Sequence, residues 1–220
     1  MISILLPVYN GEKFIKESID SLMNQTFTEW ELLIGFNGTK DNTKKIVNEY
    51  NDQRIKIFDY GNSTGKGKTL NKLLYETKHQ WIALQDDDDY WSKDKLEKQI
   101  KFINNYDVIG TMIIYIDEFG NYIGEPNLST SQNEIIQKSL SGDNQIANTS
   151  AIFKKEKAIE INGWNETIDG IEDFDFWIRM IRNNSKIINL DFVGVKHRLH
   201  SNSNFNTKKY DLNQILQNVN

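Results

Sequence analysis

Four times within the first 105 residues, a short β-rich run is followed by a stretch with helical periodicity, and this alternation restricts the fold more than any other feature of the chain. Residues 2–8 form a continuous apolar run of the kind found in strands buried on both faces. After Asn10-Gly11, Ile15, Ile19, Leu22 and Met23 return at i, i+4, i+7 and i+8, which predicts a helix. The unit recurs as 30–36 then 41–50, as 54–60 then 66–77, and as 81–85 then 93–103. Repeated βα units predict a mixed, mostly parallel α/β sheet with right-handed crossovers and flanking helices. Ligands in such sheets gather at the carboxyl ends of the strands.

The second half changes character. Residues 108–116 and 122–124, joined around Gly120-Asn121, predict a hairpin. The polar stretch 127–149 predicts a helix and a mobile loop near the site. Residues 172–182 place Phe174, Trp177, Ile178 and Ile181 on one helical face, 187–195 form a further strand, and the Asn- and Ser-rich tail from His197 is expected to lie over the surface. With 220 residues, 38% hydrophobic positions, two prolines and no linker, one domain with one sizeable core is expected.

Several function classes are excluded by composition. No apolar run approaches the ~18–20 residues of a membrane span, and residues 1–8 lack the basic start of a secretory signal. The absence of cysteine removes disulfides, thiolate metal sites and cysteine nucleophiles, and suits a reducing compartment. A net charge of −5 is opposite in sign to the footprint of a nucleic-acid binder, so an anionic ligand needs a local device.

Three constellations offer such devices. Asp86-Asp87-Asp88-Asp89 follows a predicted strand; adjacent carboxylates repel unless a cation or ligand offsets them, and oxygen donors suit Mg²⁺ or Mn²⁺. Its alternative is a solvated acidic turn capping the next helix. The glycine-rich stretch 61–69, with Lys66 and Lys68, opens a helix and suits phosphate. It fails the P-loop spacing, because Asn62 stands where glycine is needed, and its alternative is a flexible turn. Glu172 and Asp173 begin a helix whose macrodipole favours the ionised carboxylate that a general base requires, or simply cap it. His79 reads as a surface residue, whereas His197 or His200 is placed to reach a metal or phosphate.

In order along the chain, these pieces resemble the family 2 glycosyltransferases of the GT-A fold. The resemblance covers about 1–204: Leu6-Pro7-Val8-Tyr9-Asn10, Ser21 to Phe27, Gly65 to Asn71, Asp86 to Trp91 with Lys95 to Gln99, Gly163-Trp164-Asn165-Glu166, Glu172 to Trp177, and His200-Ser201. It implies an inverting hexosyl- or N-acetylhexosaminyl-transferase with 1–105 as the nucleotide-binding half, 106–204 as the acceptor-binding half and 205–220 as a tail. By the same resemblance, Pro7 and Tyr9 lie against the nucleotide base. Lys66, Lys68, Asp86 and Asp87 hold the donor, Asp88 and His200 hold Mn²⁺ or Mg²⁺, and Asp173 with Glu172 supplies the base. The expected partners are a UDP-sugar and a glycan, lipid-linked glycan or protein acceptor, in the cytoplasm or at a membrane surface.

The chain departs from the family pattern at Phe36-Asn37-Gly38-Thr39, where paired aspartates are usual. Asn37 still accepts a hydrogen bond from a uracil edge, but its amide also donates. Leu70 replaces a common arginine, and Asp87 adds charge to the quartet. Two rival readings are a P-loop-like phosphotransferase and a catalytically silent sugar-binding module of the same fold.

Overall fold

A computed structural model describes residues 1–62, 65–168, 170–201 and 215–216. The elements run β1 (Ile2–Val8), α1 (Ile15–Met23), β2 (Trp30–Phe36), α2 (Thr43–Val47), β3 (Ile55–Asp59), α3 (Lys66–Glu76), β4 (Trp81–Leu84) and β5 (Tyr90–Trp91). They continue as α4 (Lys95–Gln99), β6 (Val108–Ile116), β7 (Tyr122–Gly124), α5 (Gln132–Leu140), β8 (Ile152–Lys154), α6 (Lys155–Glu160), α7 (Glu172–Arg182) and β9 (Ile187–Arg198). The described strands form one sheet in the order β3-β2-β1-β4-β8-β6-β9-β5, with β7 paired to β6.

The expected α/β architecture is present. β1 lies parallel between β2 and β4, and every one of its residues is buried. Its alternating side chains explain the continuous apolar run. Ile2, Ile4, Leu6 and Val8 join Ile15, Ile19 and Leu22 of α1 in one core, while Leu5 meets Leu70, Leu73 and Leu74 of α3 in another. Both faces of the sheet are therefore covered, and each fully buried aliphatic side chain contributes about 1.5–3 kcal/mol.

The second half joins the same sheet through β8, which pairs antiparallel with both β4 and β6. The hairpin of β6 and β7 forms as expected; Asp117 holds its turn by accepting from the N–H groups of Phe119 and Asn121. Strand β8, helix α6 and the two-residue β5 carried no readable periodicity, being too short to repeat a pattern. Helix α2 is shorter than 41–50, because the chain turns back where Asp52 accepts from the Arg54 N–H at 2.8 Å. Helix α4 is also shorter than 93–103 and passes into a 3₁₀ turn at Ile100–Phe102.

Two expectations are corrected. His197 and Arg198 are not surface tail: β9 extends through them, pairing with Tyr115 and Ile116 of β6. The faces of α7 are also split. Phe176, Trp177, Met180 and Ile181 pack toward the sheet, with Phe176 stacked on Trp164 at 4.4 Å, whereas Phe174 and Ile178 pack against Ile215. Ile215 is buried and its carbonyl and that of Leu216 accept from Arg182, so this part of the tail closes over the helix. The remainder of 205–220, together with Ser63 and Thr64 of the glycine-rich stretch, lies outside the described residues.

Candidate active site

A cavity of about 1050 Å³ opens at the carboxyl ends of β1 and β4, where a doubly covered sheet leaves its strand ends free. Pro7, Tyr9, Asn37, Lys66 and the residues Asp86, Asp87 and Asp88 line it from the first half; Glu172, Asp173 and His200 line it from the second. Lys68 does not. Residues two apart on a helix point about 200° apart, so Lys66 and Lys68 of α3 cannot serve one surface. Thr69 turns inward as well, its hydroxyl donating to the Gly65 carbonyl at 3.0 Å, which leaves the phosphotransferase reading without its metal-facing hydroxyl.

The acidic quartet is not four equivalent carboxylates. The Asp86 carboxylate meets Lys66 Nζ at 2.6 Å, and its carbonyl accepts from Ser18 at 2.9 Å. Asp87 fits because position 11 is glycine: a Cβ there would lie 2.0 Å from Asp87 Oδ2. Burial, with Asp88 and Asp86 alongside, pushes the Asp87 carboxyl well above the usual carboxylate range. Asp88 Oδ2 lies 3.0 Å from His200 Nε2. Asp89 points the other way and is buried, with His197 Nδ1 at 2.9 Å from one oxygen and the Arg198 N–H donating to the other at 2.9 Å. Burial disfavours the His197 imidazolium, but Asp89 outweighs it and raises the group to about 9.

This division follows from register. Tyr90 and Trp91 of β5 pair with Lys196 and Val195 of β9, pinning the turn that contains the quartet against the end of that strand. Asp89, His197 and Arg198 were not singled out from the sequence as a unit. The sequence carries no local signal for them: Lys196, His197 and Arg198 are all polar, so nothing in their composition extends the strand past Val195.

On the opposite wall, the segment that precedes α7 is held to α3 by paired bonds: Asn71 Nδ2 donates to the Trp164 carbonyl and Asn71 Oδ1 accepts from the Trp164 N–H, both at 2.8 Å. Glu172 is 5% exposed and accepts from the Gly170 N–H. Asp173 is half-buried and accepts from the Phe174 N–H at 2.7 Å. Burial, then Glu172, raises the Asp173 carboxyl to about 6 despite Lys66. Lys66 behaves conversely. Burial lowers it, yet Asp86, Glu172 and Asp173 hold it above its ordinary value.

Tyr9 is 53% exposed at the rim, followed by Asn10 in the left-handed region at φ 55°, a conformation asparagine tolerates. Tyr9 also borders a smaller hollow of about 230 Å³ with Gly38, Thr39 and Lys40. Asn37 is 7% exposed, its N–H donating to the Val8 carbonyl at 2.9 Å.

Among the described residues, no group of three or more His, Asp or Glu side chains is gathered to hold a metal ion. The donor set nevertheless fits a hard divalent ion that shares its shell with a ligand. Mg²⁺-like ions take few protein ligands and fill the rest with phosphate oxygens and water. Asp88 Oδ2 and His200 Nε2, hydrogen-bonded at 3.0 Å, would be the ligands of such an ion.

Residues 3–161 match the family model described as Glycosyl transferase family 2. The O-antigen biosynthesis glycosyltransferase WbnJ of Escherichia coli is 31% identical over 211 residues, covering 92% of this chain and 81% of that protein. The UDP-Glc:alpha-D-GlcNAc-diphosphoundecaprenol beta-1,3-glucosyltransferase WfgD of Escherichia coli is 28% identical over 220 residues, covering 96% and 81%. Among solved structures, S. aureus TarS 1–349 in complex with UDP superposes with a TM-score of 0.74 at 25% identity, over 90% of this chain. The chain spans only 60% of that structure's length.

Proposed function

The chain belongs to glycosyl transferase family 2, and from that premise we propose that it is a metal-dependent inverting enzyme that moves a hexosyl or N-acetylhexosaminyl group from a UDP-sugar to an acceptor hydroxyl. The observation that carries this reading is the convergence of Lys66, Asp86, Asp88 and Asp173 on one cavity at the strand ends. Residues 1–105 form the donor half in this reading and 106–204 the acceptor half.

The base of the nucleotide lies against Pro7 and Tyr9, with Asn37 accepting from its edge. WfgD is named for a UDP-Glc donor and TarS is solved with UDP, which supports uracil. The diphosphate runs toward Lys66, Asp86 and Asp87, where Lys66 offers positive charge in an acidic chain. Asp88 and His200 would hold Mn²⁺ or Mg²⁺, which when bound supplies charge to the departing diphosphate.

Asp173 takes the proton of the acceptor hydroxyl while that oxygen bonds to the anomeric carbon and the bond to the diphosphate breaks on the opposite face. One displacement inverts the centre. A pKa near 6 leaves Asp173 largely ionised at neutral pH yet more basic than an ordinary carboxylate, the compromise that general-base catalysis favours. Glu172, turned to the Gly170 N–H, keeps negative charge beside it.

The acceptor is a glycan, a lipid-linked glycan or a protein. No described helix is long and apolar enough to cross a membrane, and the cysteine-free composition suits the cytoplasm or its membrane surface. The test is a thermal-shift and turnover screen of nucleotide sugars with and without Mn²⁺. A ligand at ~100 times its Kd stabilises by about 2.7 kcal/mol. Stabilisation and turnover by a UDP-sugar are expected; turnover of none of them, with no shift from UDP, would sink the reading.

A further inference from the structure

Arg198 is 2% exposed, lies outside the cavity lining, and gathers three segments distant in the sequence. Its Nε donates to the main-chain carbonyl of Asp88 at 3.0 Å. Its Nη1 donates to the carbonyls of Asp117 and Glu118 in the hairpin turn at 3.3 and 3.4 Å, and its Nη2 to the Glu17 carboxylate of α1 at 2.6 Å. The guanidinium also lies over the Phe14 ring, 4.5 Å from its centre, and the Arg198 N–H holds Asp89.

We propose that Arg198 is the positioning residue of the quartet: by clamping the main chain of Asp88 to α1 and to the β6–β7 turn, it aims the Asp88 carboxylate at His200 and at the donor diphosphate. The inference rests on the reading of Asp88 as the carboxylate on the diphosphate side.

The contacts distinguish this role from a surface ion pair. Glu17 is 52% exposed on its side chain, and such pairs contribute little. The bonds to main-chain carbonyls are the ones that constrain Asp88, and they require a planar fork whose several donors point in fixed directions. Lysine keeps the charge but, with a compact ammonium on a flexible stem, cannot hold Asp88, the hairpin turn and Glu17 in one plane. Because the Asp88 carbonyl and carboxylate belong to one residue, fixing the first limits the directions open to the second. Outer residues that orient a metal ligand typically govern metal affinity by 10–100-fold.

The experiment is a calorimetric titration of UDP into wild type, Arg198→Lys and Glu17→Gln, each in Mn²⁺ and in chelator, after a melt confirms that each is folded at the assay temperature. In wild type, Mn²⁺ should tighten UDP binding. Arg198→Lys should lose about 10–100-fold of that gain while its UDP affinity in chelator stays unchanged. Glu17→Gln should lose about twofold to fivefold, the worth of an exposed pair. A folded Arg198→Lys that keeps the full Mn²⁺ gain, or that weakens equally with and without Mn²⁺, overturns the proposal. Should Arg198→Lys not fold, Arg198→Gln, whose amide cannot bridge three segments, decides by the same two readings: loss of the Mn²⁺ gain with unchanged affinity in chelator supports the proposal and a full gain overturns it. Absence of any Mn²⁺ gain in wild type would remove the reading of Asp88 itself, and this inference with it.

Discussion

His197 Nδ1 lies 2.9 Å from Asp89 Oδ2, an ion pair closed between the last residues of β9 and the end of the acidic quartet. It removes one of the four aspartates from the cavity and gives that aspartate a structural task. The three that remain line the cavity.

That pair makes stability depend on pH. Burial opposes the His197 imidazolium and Asp89 more than restores it, so the folded group titrates near 9 against an unfolded value of 6.5. The stabilisation is fully present below pH 6.5 and is lost as pH rises through about 9. Its size is on the order of 1–3 kcal/mol. Unfolding at pH 6 and pH 9.5 should show a larger alkaline loss in wild type than in His197→Gln; identical pH profiles would show that the pair contributes nothing.

Asp88→Asn should leave the fold intact and abolish the Mn²⁺-dependent part of UDP binding. It should also raise the melting temperature without ligand, because it removes a charge beside Asp87, whose ionisation is already disfavoured by burial and its neighbours. Isothermal titration with and without Mn²⁺, and a melt, check both. Undiminished metal-dependent binding would remove Asp88 from the site.

Asp173→Asn should keep UDP affinity and lower kcat by about 10²–10⁴. In wild type, kcat should fall as pH drops through about 6, where burial and Glu172 place the Asp173 carboxyl. The base is the ionised form, so activity is gained on the alkaline side of that value. Near wild-type turnover in Asp173→Asn, with loss in Glu172→Gln, would transfer the role to Glu172.

Gly11→Ala is expected to weaken UDP binding and cost about 1–3 kcal/mol of stability, since the new methyl group would occupy the place of the Asp87 carboxylate. Gly11→Ala in an Asp87→Ala background should recover most of that stability. A single Gly11→Ala variant as stable as wild type would show that the turn opens freely.

In competition, UDP should displace a UDP-sugar more effectively than GDP, the outcome expected if the Asn37 side chain in the cavity accepts from the N3–H of a uracil edge. Tighter binding of GDP would show that Asn37, in place of the usual aspartate, changed the choice of base.

Much of this was legible beforehand, and for a common reason. β1, β2, α1 and α7 are set by patterns within their own length, so apolar spacing alone locates them, and the Gly120-Asn121 turn locates the β6–β7 hairpin. Lys66, Asp86, Asp88 and Asp173 were legible as donors near strand or helix ends, where such sheets carry their ligands. By itself, then, the amino-acid order determined the alternation of strands and helices, the doubly covered sheet and the membership of the family. What it left open was direction. Asp86 to Asp89 look alike in one dimension, and nothing local distinguishes the aspartate that meets Lys66 from the one that meets His197. That choice is made by the pairing of β5 with β9, more than a hundred residues further on, which fixes the turn and sends successive side chains to different partners. Register across a sheet is a relation between distant segments, so only the tertiary structure decides which aspartates line the cavity and which one holds the fold.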